Sequence, residues 1–309
     1  ELDLNKTLGD YLPELKATNK GGILLSNLLA HEAGLKAFIP HYTKTLSSGK
    51  WNPSYYKDSI SASYTLPVSN EMFAQTTLRD SLWKWTVESE LLPKPYGYVY
   101  SDLTMYFMQA VIERIVNQPL DEFVAHNFYA PLGLQTLTFK PFEKIPLAQI
   151  APTENDLTFR GRQIQGYVHD PGAAMYGGVA GHAGLFGTAQ DLAVVFQLLL
   201  NKGSYGDVHL LKPETIAAFT KRQSKLSRRG WGWDKPEPEK GKGGSAGKLA
   251  PKSTFGHTGF TGTCVWADPE NELTYIFLSN RVYPSATNNT LLDLGIRTKI
   301  HDLIYEAMK

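Results

Sequence analysis

The chain has 309 residues, 42% hydrophobic and 20% charged, enough apolar material to bury a full core in one large domain or two closely joined ones. Lysine and arginine number 31 against 30 acidic residues, and a net charge of +1 gives no electrostatic reason to expect nucleic acid or an anionic membrane as partner. A single cysteine, Cys264, excludes an intrachain disulfide and a cysteine-based metal cluster; lying in an apolar stretch, it reads as a small buried hydrophobe.

Taken in order, Leu2 to Pro13 reads as a connector followed by a turn of helix. The apolar runs are too short for a membrane span, and no charged, apolar, small-residue leader opens the chain. Ile23 to His31 supports a helix that stops at Gly34. His31-Glu32-Ala33-Gly34-Leu35 fails the His-Glu-x-x-His pattern at its last position, so no metal site is indicated. From Phe38 to Leu78, aromatic, Pro and Ser residues mix without period, which reads as a long irregular excursion of the kind that borders sites.

Leu103 to Ile115 is the clearest helix, ending near Asn117 ahead of Pro119, with Ser101 or Asp102 suited to cap it and Tyr100 delivered to its entrance. Gly177 to Gly184 is rich in glycine but lacks the Gly-Lys-Ser/Thr ending of a phosphate loop, so no nucleotide cofactor is expected, and no other cofactor motif occurs. Thr188-Ala189-Gln190-Asp191 resembles a capping box ahead of a helix that ends at Asn201-Lys202-Gly203. Asp234 to Ser253, dominated by Gly, Lys, Pro and Glu, reads as a mobile loop. Thr254 to Trp266 reads as one strand whose first half holds three glycines, a feature tolerated where a ligand or another backbone comes close. The Asp268-Pro269-Glu270-Asn271 turn leads into Leu273 to Leu278, and a bulge-free hairpin would set Asn280 and Arg281 opposite Gly259 and Phe260. Leu291 to Met308 reads as a terminal helix packed on the sheet.

A glycine-rich edge strand and a tyrosine at a helix entrance suit acyl transfer, which requires a nucleophile. Ser-x-x-Lys places an amine one helical turn beyond a hydroxyl and occurs at Ser47/Lys50, Ser54/Lys57, Ser81/Lys84 and Ser245/Lys248. The pattern is short enough to arise by chance, and none of the four has the context of a buried helix. Gly243-Gly244-Ser245-Ala246-Gly247 matches the hydrolase elbow but has neither a buried strand before it nor a helix after it.

Tyr100-Ser101-Asp102 and His257-Thr258-Gly259 resemble the second and third motifs of the serine β-lactamase and penicillin-binding-protein superfamily, closest to its class C and esterase-like branch. Leu28 to Leu35, Pro131-Leu132-Gly133-Leu134 and Gly181 to Ala189 are also similar to it, so the resemblance spans nearly the whole chain. It implies an α+β fold, an antiparallel sheet flanked by helices, as a single domain over residues 1–309. A helical, loop-rich region would span about 30–200, and a sheet region with a C-terminal helix about 201–309.

The resemblance further implies Tyr100 and His257 as catalytic residues sharing one site, with Asp102, Thr258, Gly259, Phe260 and Arg281 binding substrate and the Phe260 amide forming half of an oxyanion hole. The substrate would be a small-molecule or peptidoglycan-derived acyl compound, a β-lactam, D-alanyl peptide or ester, and the location periplasmic or extracellular. Two departures alter the electrostatics: Asp102 stands where the family has Asn, and His257 where it most often has Lys. Neutral imidazole does not replace an ammonium at pH 7, so Arg281 is the expected cation, unless the substrate is an ester.

In the family, Ser-x-x-Lys precedes a segment resembling Leu2 to Leu15, so the nucleophile helix and the first strands are expected to be missing, with Ser-x-x-Lys supplied by another fragment or domain of the same protein. The alternative is a non-catalytic binding or interaction module that keeps the cleft without the nucleophile; in some relatives a module like this is fused to a glycoside hydrolase. The 309 residues alone are expected to form no covalent adduct with a fluorescent penicillin. Mass spectrometry after incubation tests this; an adduct on Ser81 or another of the four serines contradicts it.

Overall fold

In the computed structural model, which describes residues 2–239 and 242–309, the chain forms two compact units. One comprises Glu1–Ala125, Thr138–Phe186 and Tyr283–Ser285; the other comprises His126–Leu137, Gly187–Val282 and Ala286–Lys309.

The first unit contains helices α1 (Leu25–Leu29), α2 (Leu78–Val87), α3 (Leu103–Val116) and α4 (Pro171–Met175). Leu103, Phe107 and Val111, at a spacing of four, bury one stripe of α3, and Asn117 ends it in the left-handed conformation (φ 50°). The stretch 38–78, expected to be irregular, instead holds an antiparallel sheet of β1 (Tyr56–Lys57), β2 (Tyr64–Ser69) and β3 (Met72–Gln75), in the order β1-β3-β2. Its alternation is concealed because the strands are short and the β2–β3 ladder slips between Tyr64 and Leu66 and again between Pro67 and Ser69. Met72 and Ala74 still alternate inward, and Val68, Leu78, Leu82 and Tyr106 complete that core.

A second ladder pairs β4 (Pro152–Asp156) with β5 (Arg162–Gln165). Arg160, between them, is 1% exposed. Its Nε donates to Asp156 Oδ2 (2.7 Å), Nη2 to Glu154 Oε1 (2.7 Å) and to the His169 carbonyl (2.8 Å), and Nη1 to the Val168 carbonyl (2.7 Å). One donor-only fork thus satisfies two carboxylates and two loop carbonyls that water does not reach.

The second unit is a three-stranded antiparallel meander, β6 (Phe255–Thr258), β7 (Cys264–Asp268) and β8 (Leu273–Phe277), with α5 (Ala189–Leu200) and α6 (Ile296–Ala307). Thr188 Oγ1 caps α5 as expected, accepting from Asp191 N. Phe255 and Ala267 face Phe196 of α5, whereas Cys264, Trp266 and Tyr275 face Ile300 and Ile304 of α6. With both faces covered, 264–267 needs no polar alternation. Burial pushes the Cys264 thiol up to about 11, consistent with a packing role.

Three expectations are corrected here. Thr254–Trp266 is two strands, not one. The chain folds back at 259–262, where Gly259 N donates to Thr263 O (2.8 Å), so β6 pairs with β7 and the β7–β8 register does not extend to Gly259. The three glycines face their own chain. A Cβ at Gly256 would sit 2.0 Å from Val265 O, one at Gly259 would sit 2.3 Å from Thr263 Oγ1, and Gly262 (φ 109°) would meet Ser279 Oγ at 2.6 Å. Asp234–Ser253 is anchored rather than mobile. Asp234 bridges to Gly256, Lys235 Nζ donates to the Ser253 and Thr254 carbonyls, and Gly247 N donates to His301 Nδ1; residues 240 and 241 lie outside the described residues. Finally, Gly295 (φ 61°) splits the terminal helix into Thr290–Asp293 and α6.

Removing one partner of a buried ion pair leaves the other uncompensated, so Arg160→Leu is expected to lower unfolding free energy by about 3–5 kcal/mol in urea denaturation. Burial alone would raise the Asp156 carboxyl, but the Arg160 guanidinium and the Phe159 and Arg160 N–H groups outweigh it and hold it below its ordinary value. That contribution is present above the unfolded value of about 3.9 and is lost as pH falls through the lower folded value. An unchanged denaturation midpoint in Arg160→Leu would contradict the role assigned to this network.

Candidate functional site

Tyr100 lies in the first unit on the turn ahead of α3, and a strap from α1 holds that turn. His31 takes φ 58° at the end of this strap, and its carbonyl accepts from Val99 N (3.0 Å). Its Nδ1 accepts from Ser101 N (3.2 Å) and lies 3.3 Å from Thr104 Oγ1. The Gly34, Lys36 and Ala37 carbonyls accept from Leu92 N, Ser101 Oγ and Asp102 N, respectively (2.7, 2.6 and 3.0 Å). Gly34 (φ 70°) has no room for a side chain, since a Cβ would lie 2.5 Å from the Tyr96 ring.

The His31 ring tilts against Tyr100 at 4.6 Å between centroids, and Tyr100 is left 41% exposed beside the buried His31 and Ser101. At the N-terminus of α3, Ser101 Oγ, one residue before the N-cap Asp102, accepts from Leu103 N (3.2 Å). Asp102 makes no side-chain cap; burial raises its carboxyl, with His182 opposing and Asp170 adding to the shift. His182 Nε2 lies 2.7 Å from Asp170 Oδ1, and its ring stacks on Tyr106 at 4.4 Å.

In the second unit, His257, Thr258, Gly259, Phe260 and Arg281 gather around the β6–β7 turn. Arg281 N donates to Thr261 O (2.9 Å), and its guanidinium donates to the carbonyls of Phe260 (2.9 Å), Ala286 (3.1 Å) and Asn288 (2.9 Å), with the Phe260 ring 4.5 Å away. Arg297 Nη1 donates to the carbonyls of Gly259 (3.1 Å) and Thr263 (2.7 Å). Two guanidiniums therefore brace this turn from its carbonyl side.

His257 Nδ1 lies 2.8 Å from the Thr258 carbonyl and Nε2 lies 2.7 Å from Arg229 Nη1. Arg229, 4% exposed, is also 3.6 Å from Asp234 Oδ1, and Asp234 accepts two bonds from Arg228 (2.6 and 3.0 Å). Burial, followed by the Arg229 charge, holds the His257 ring below its ordinary basicity.

Sequence reasoning named neither His31, as support for Tyr100, nor Arg229. The signal for Arg229 was the Arg228-Arg229 pair directly before Gly230-Trp231-Gly232-Trp233, a basic pair in an aromatic, buried setting.

None of the four Ser-x-x-Lys pairs sets an amine on its hydroxyl among the described residues. Ser47 and Lys50 are strand partners, Lys57 lies over the Tyr64 ring, Lys84 is 3.8 Å from Glu88, and Ser245 Oγ accepts from Arg228.

The Beta-lactamase family model matches residues 1–296. A Salmonella agona protein named "Putative D-alanyl-D-alanine carboxypeptidase" is 33% identical over all of this chain and 72% of its own length. Among solved structures, a penicillin-binding protein homologue from Caulobacter crescentus superposes with a TM-score of 0.57 at 18% identity, covering 90% of this chain and 71% of its own. Simvastatin synthase from Aspergillus terreus gives a TM-score of 0.60 at 19% identity, covering 96% and 76%. The mixed architecture of small antiparallel sheets and helices is common to these neighbours, and the chain belongs to the Beta-lactamase family, a family of serine hydrolases.

Proposed function

We propose that this chain is the β-lactamase-like part of a periplasmic or extracellular serine hydrolase that works through an acyl-enzyme on D-alanyl peptides or related amides and esters. The observation that carries this reading is the turn clamped by His31, which presents Tyr100 beside the buried His31, Ser101 and Thr104 side chains. Such rigid presentation is what a proton-transferring group requires.

In the reaction, a serine hydroxyl attacks the acyl carbon as Tyr100, acting as its phenolate, takes the hydroxyl proton. The tetrahedral oxyanion is held by two N–H donors, one of them Phe260 N at the corner of the braced β6–β7 turn, and collapse expels the amine or alcohol, which receives the proton from Tyr100. Water then attacks the acyl-enzyme by the same route in reverse. Thr258 and Gly259 line the substrate edge. Asp102, raised by burial, acts toward substrate from the Tyr100 turn. Arg281 serves by fixing the Phe260 carbonyl, and with it the orientation of the following peptide.

None of the four Ser-x-x-Lys pairs supplies the nucleophile in this reading, which assigns it to a segment of the same protein outside these 309 residues. The same observation on the four pairs favours the second reading, a binding module that keeps the substrate edge without turnover.

In protein carrying the nucleophile, Tyr100→Phe is expected to slow labelling by a fluorescent penicillin by roughly 10²–10⁴-fold, the usual contribution of a general base. An unchanged labelling rate contradicts the reading. His31→Ala leaves the buried Ser101 N–H without its acceptor and should cost about 1–3 kcal/mol of stability while also slowing labelling. Circular dichroism melts and the labelling rate check the two effects separately.

A further inference from the structure

Both ring nitrogens of His257 are committed. The Thr258 carbonyl can only accept, so Nδ1, 2.8 Å away, carries the proton. Arg229 Nη1 can only donate, so Nε2, 2.7 Å away, is the lone pair. Protonating the ring would set an N–H against an N–H and a cation against a cation. The charged groups around the ring are Arg229, Arg228 and Asp234; Asp234 is shared by both arginines, and Arg228 also pairs with Glu237 (2.8 Å), so Arg229 lies 3.6 Å from a carboxylate that Arg228 already holds.

The other cations of this turn are engaged elsewhere. Arg281 and Arg297 donate to main-chain carbonyls, and among the described residues neither forms an ion pair. The charge nearest the β6 ring is therefore a guanidinium that does not titrate in the physiological range.

We propose that Arg229 and His257 act as one unit, in which Arg229 supplies a permanent positive charge to the β6 edge and His257 is the neutral, tautomer-locked spacer that carries its influence to ligands bearing a free carboxylate. This deepens the acyl-transfer reading and rests on it for the choice of ligand. Arg229 is a positioning and specificity residue here, acting through His257.

The test is equilibrium binding to the 309-residue chain, which needs no nucleophile. The probes are an N-acylated D-alanyl-D-alanine dipeptide with a free C-terminal carboxylate and its methyl ester, titrated calorimetrically from pH 5 to 8. Wild-type protein is expected to prefer the carboxylate with a Kd that is flat across this range, since neither the ligand's carboxylate nor the locked ring titrates within it. In Arg229→Gln, the Kd for the carboxylate should rise about tenfold at pH 8 and recover below about pH 6.5 as the released imidazole becomes cationic, with the ester's Kd unchanged.

Arg229→Lys keeps a charge and should retain most of the preference. A wild-type Kd that tracks a group titrating near 6.5 would overturn the proposal, as would loss of both ligands equally in Arg229→Gln or failure of either ligand to bind wild type. If Arg229→Gln does not fold, the wild-type pH series and Arg229→Lys decide alone. Failure of the acyl-transfer reading is a separate result, seen as Tyr100→Phe labelling at the wild-type rate.

Discussion

A guanidinium has donors and no acceptor, and much of this chain is irregular backbone whose carbonyls need donors. The consequence recurs in both units. In the first, Arg160 gathers Asp156, Glu154 and two loop carbonyls into one buried knot. In the second, Arg281 and Arg297 hold five carbonyls around and beside the β6–β7 turn, so that a glycine-containing reversal becomes a fixed surface. Desolvating so many charges is costly, and the cost is offset only where each donor meets a well-placed acceptor. The substrate edge, on this account, is held by cations behind it more than by the regular hydrogen bonding of a long strand.

That arrangement changes what the arginines do for function. The expectation that Arg281 would serve as a free carboxylate reader fits poorly with a side chain that is 6% exposed and donating to three carbonyls. Arg229, by contrast, reaches the one side chain on the β6 edge that departs from lysine. On the proposal above, the positive pole at this edge is Arg229, 2.7 Å behind the His257 ring. Asp102 is the companion departure in the other unit. Burial raises its carboxyl above the ordinary carboxylate range, with His182 opposing the shift.

Legibility in the sequence followed the range of the interactions involved. The helix from Leu103 and the capped helix from Thr188 were readable because their spacing, caps and stops are local. The hairpin from Cys264 to Phe277 was readable because its turn is local too. The reversal at 259–262 was missed because β-branched and aromatic residues continue on both sides of it, and the glycines there answer to cross-chain packing rather than to a ligand. The sheet within 38–78 was hidden by ladder slips that destroy its period. Of the residues proposed for the site, Tyr100 and His257 stood out in the sequence through their motifs, whereas His31 and Arg229 did not. Each acts on a residue far along the chain, His31 on Ser101 and Arg229 on His257, and no local spacing encodes such a pairing.

The most direct measurement is the nitrogen NMR spectrum of the His257 side chain in isotopically labelled protein between pH 5 and 8. The account predicts one neutral tautomer throughout, with the proton on Nδ1 and an unprotonated Nε2 shielded by its bond to Arg229. A ring that titrates with the ordinary midpoint near 6.5, or that carries its proton on Nε2, would contradict it.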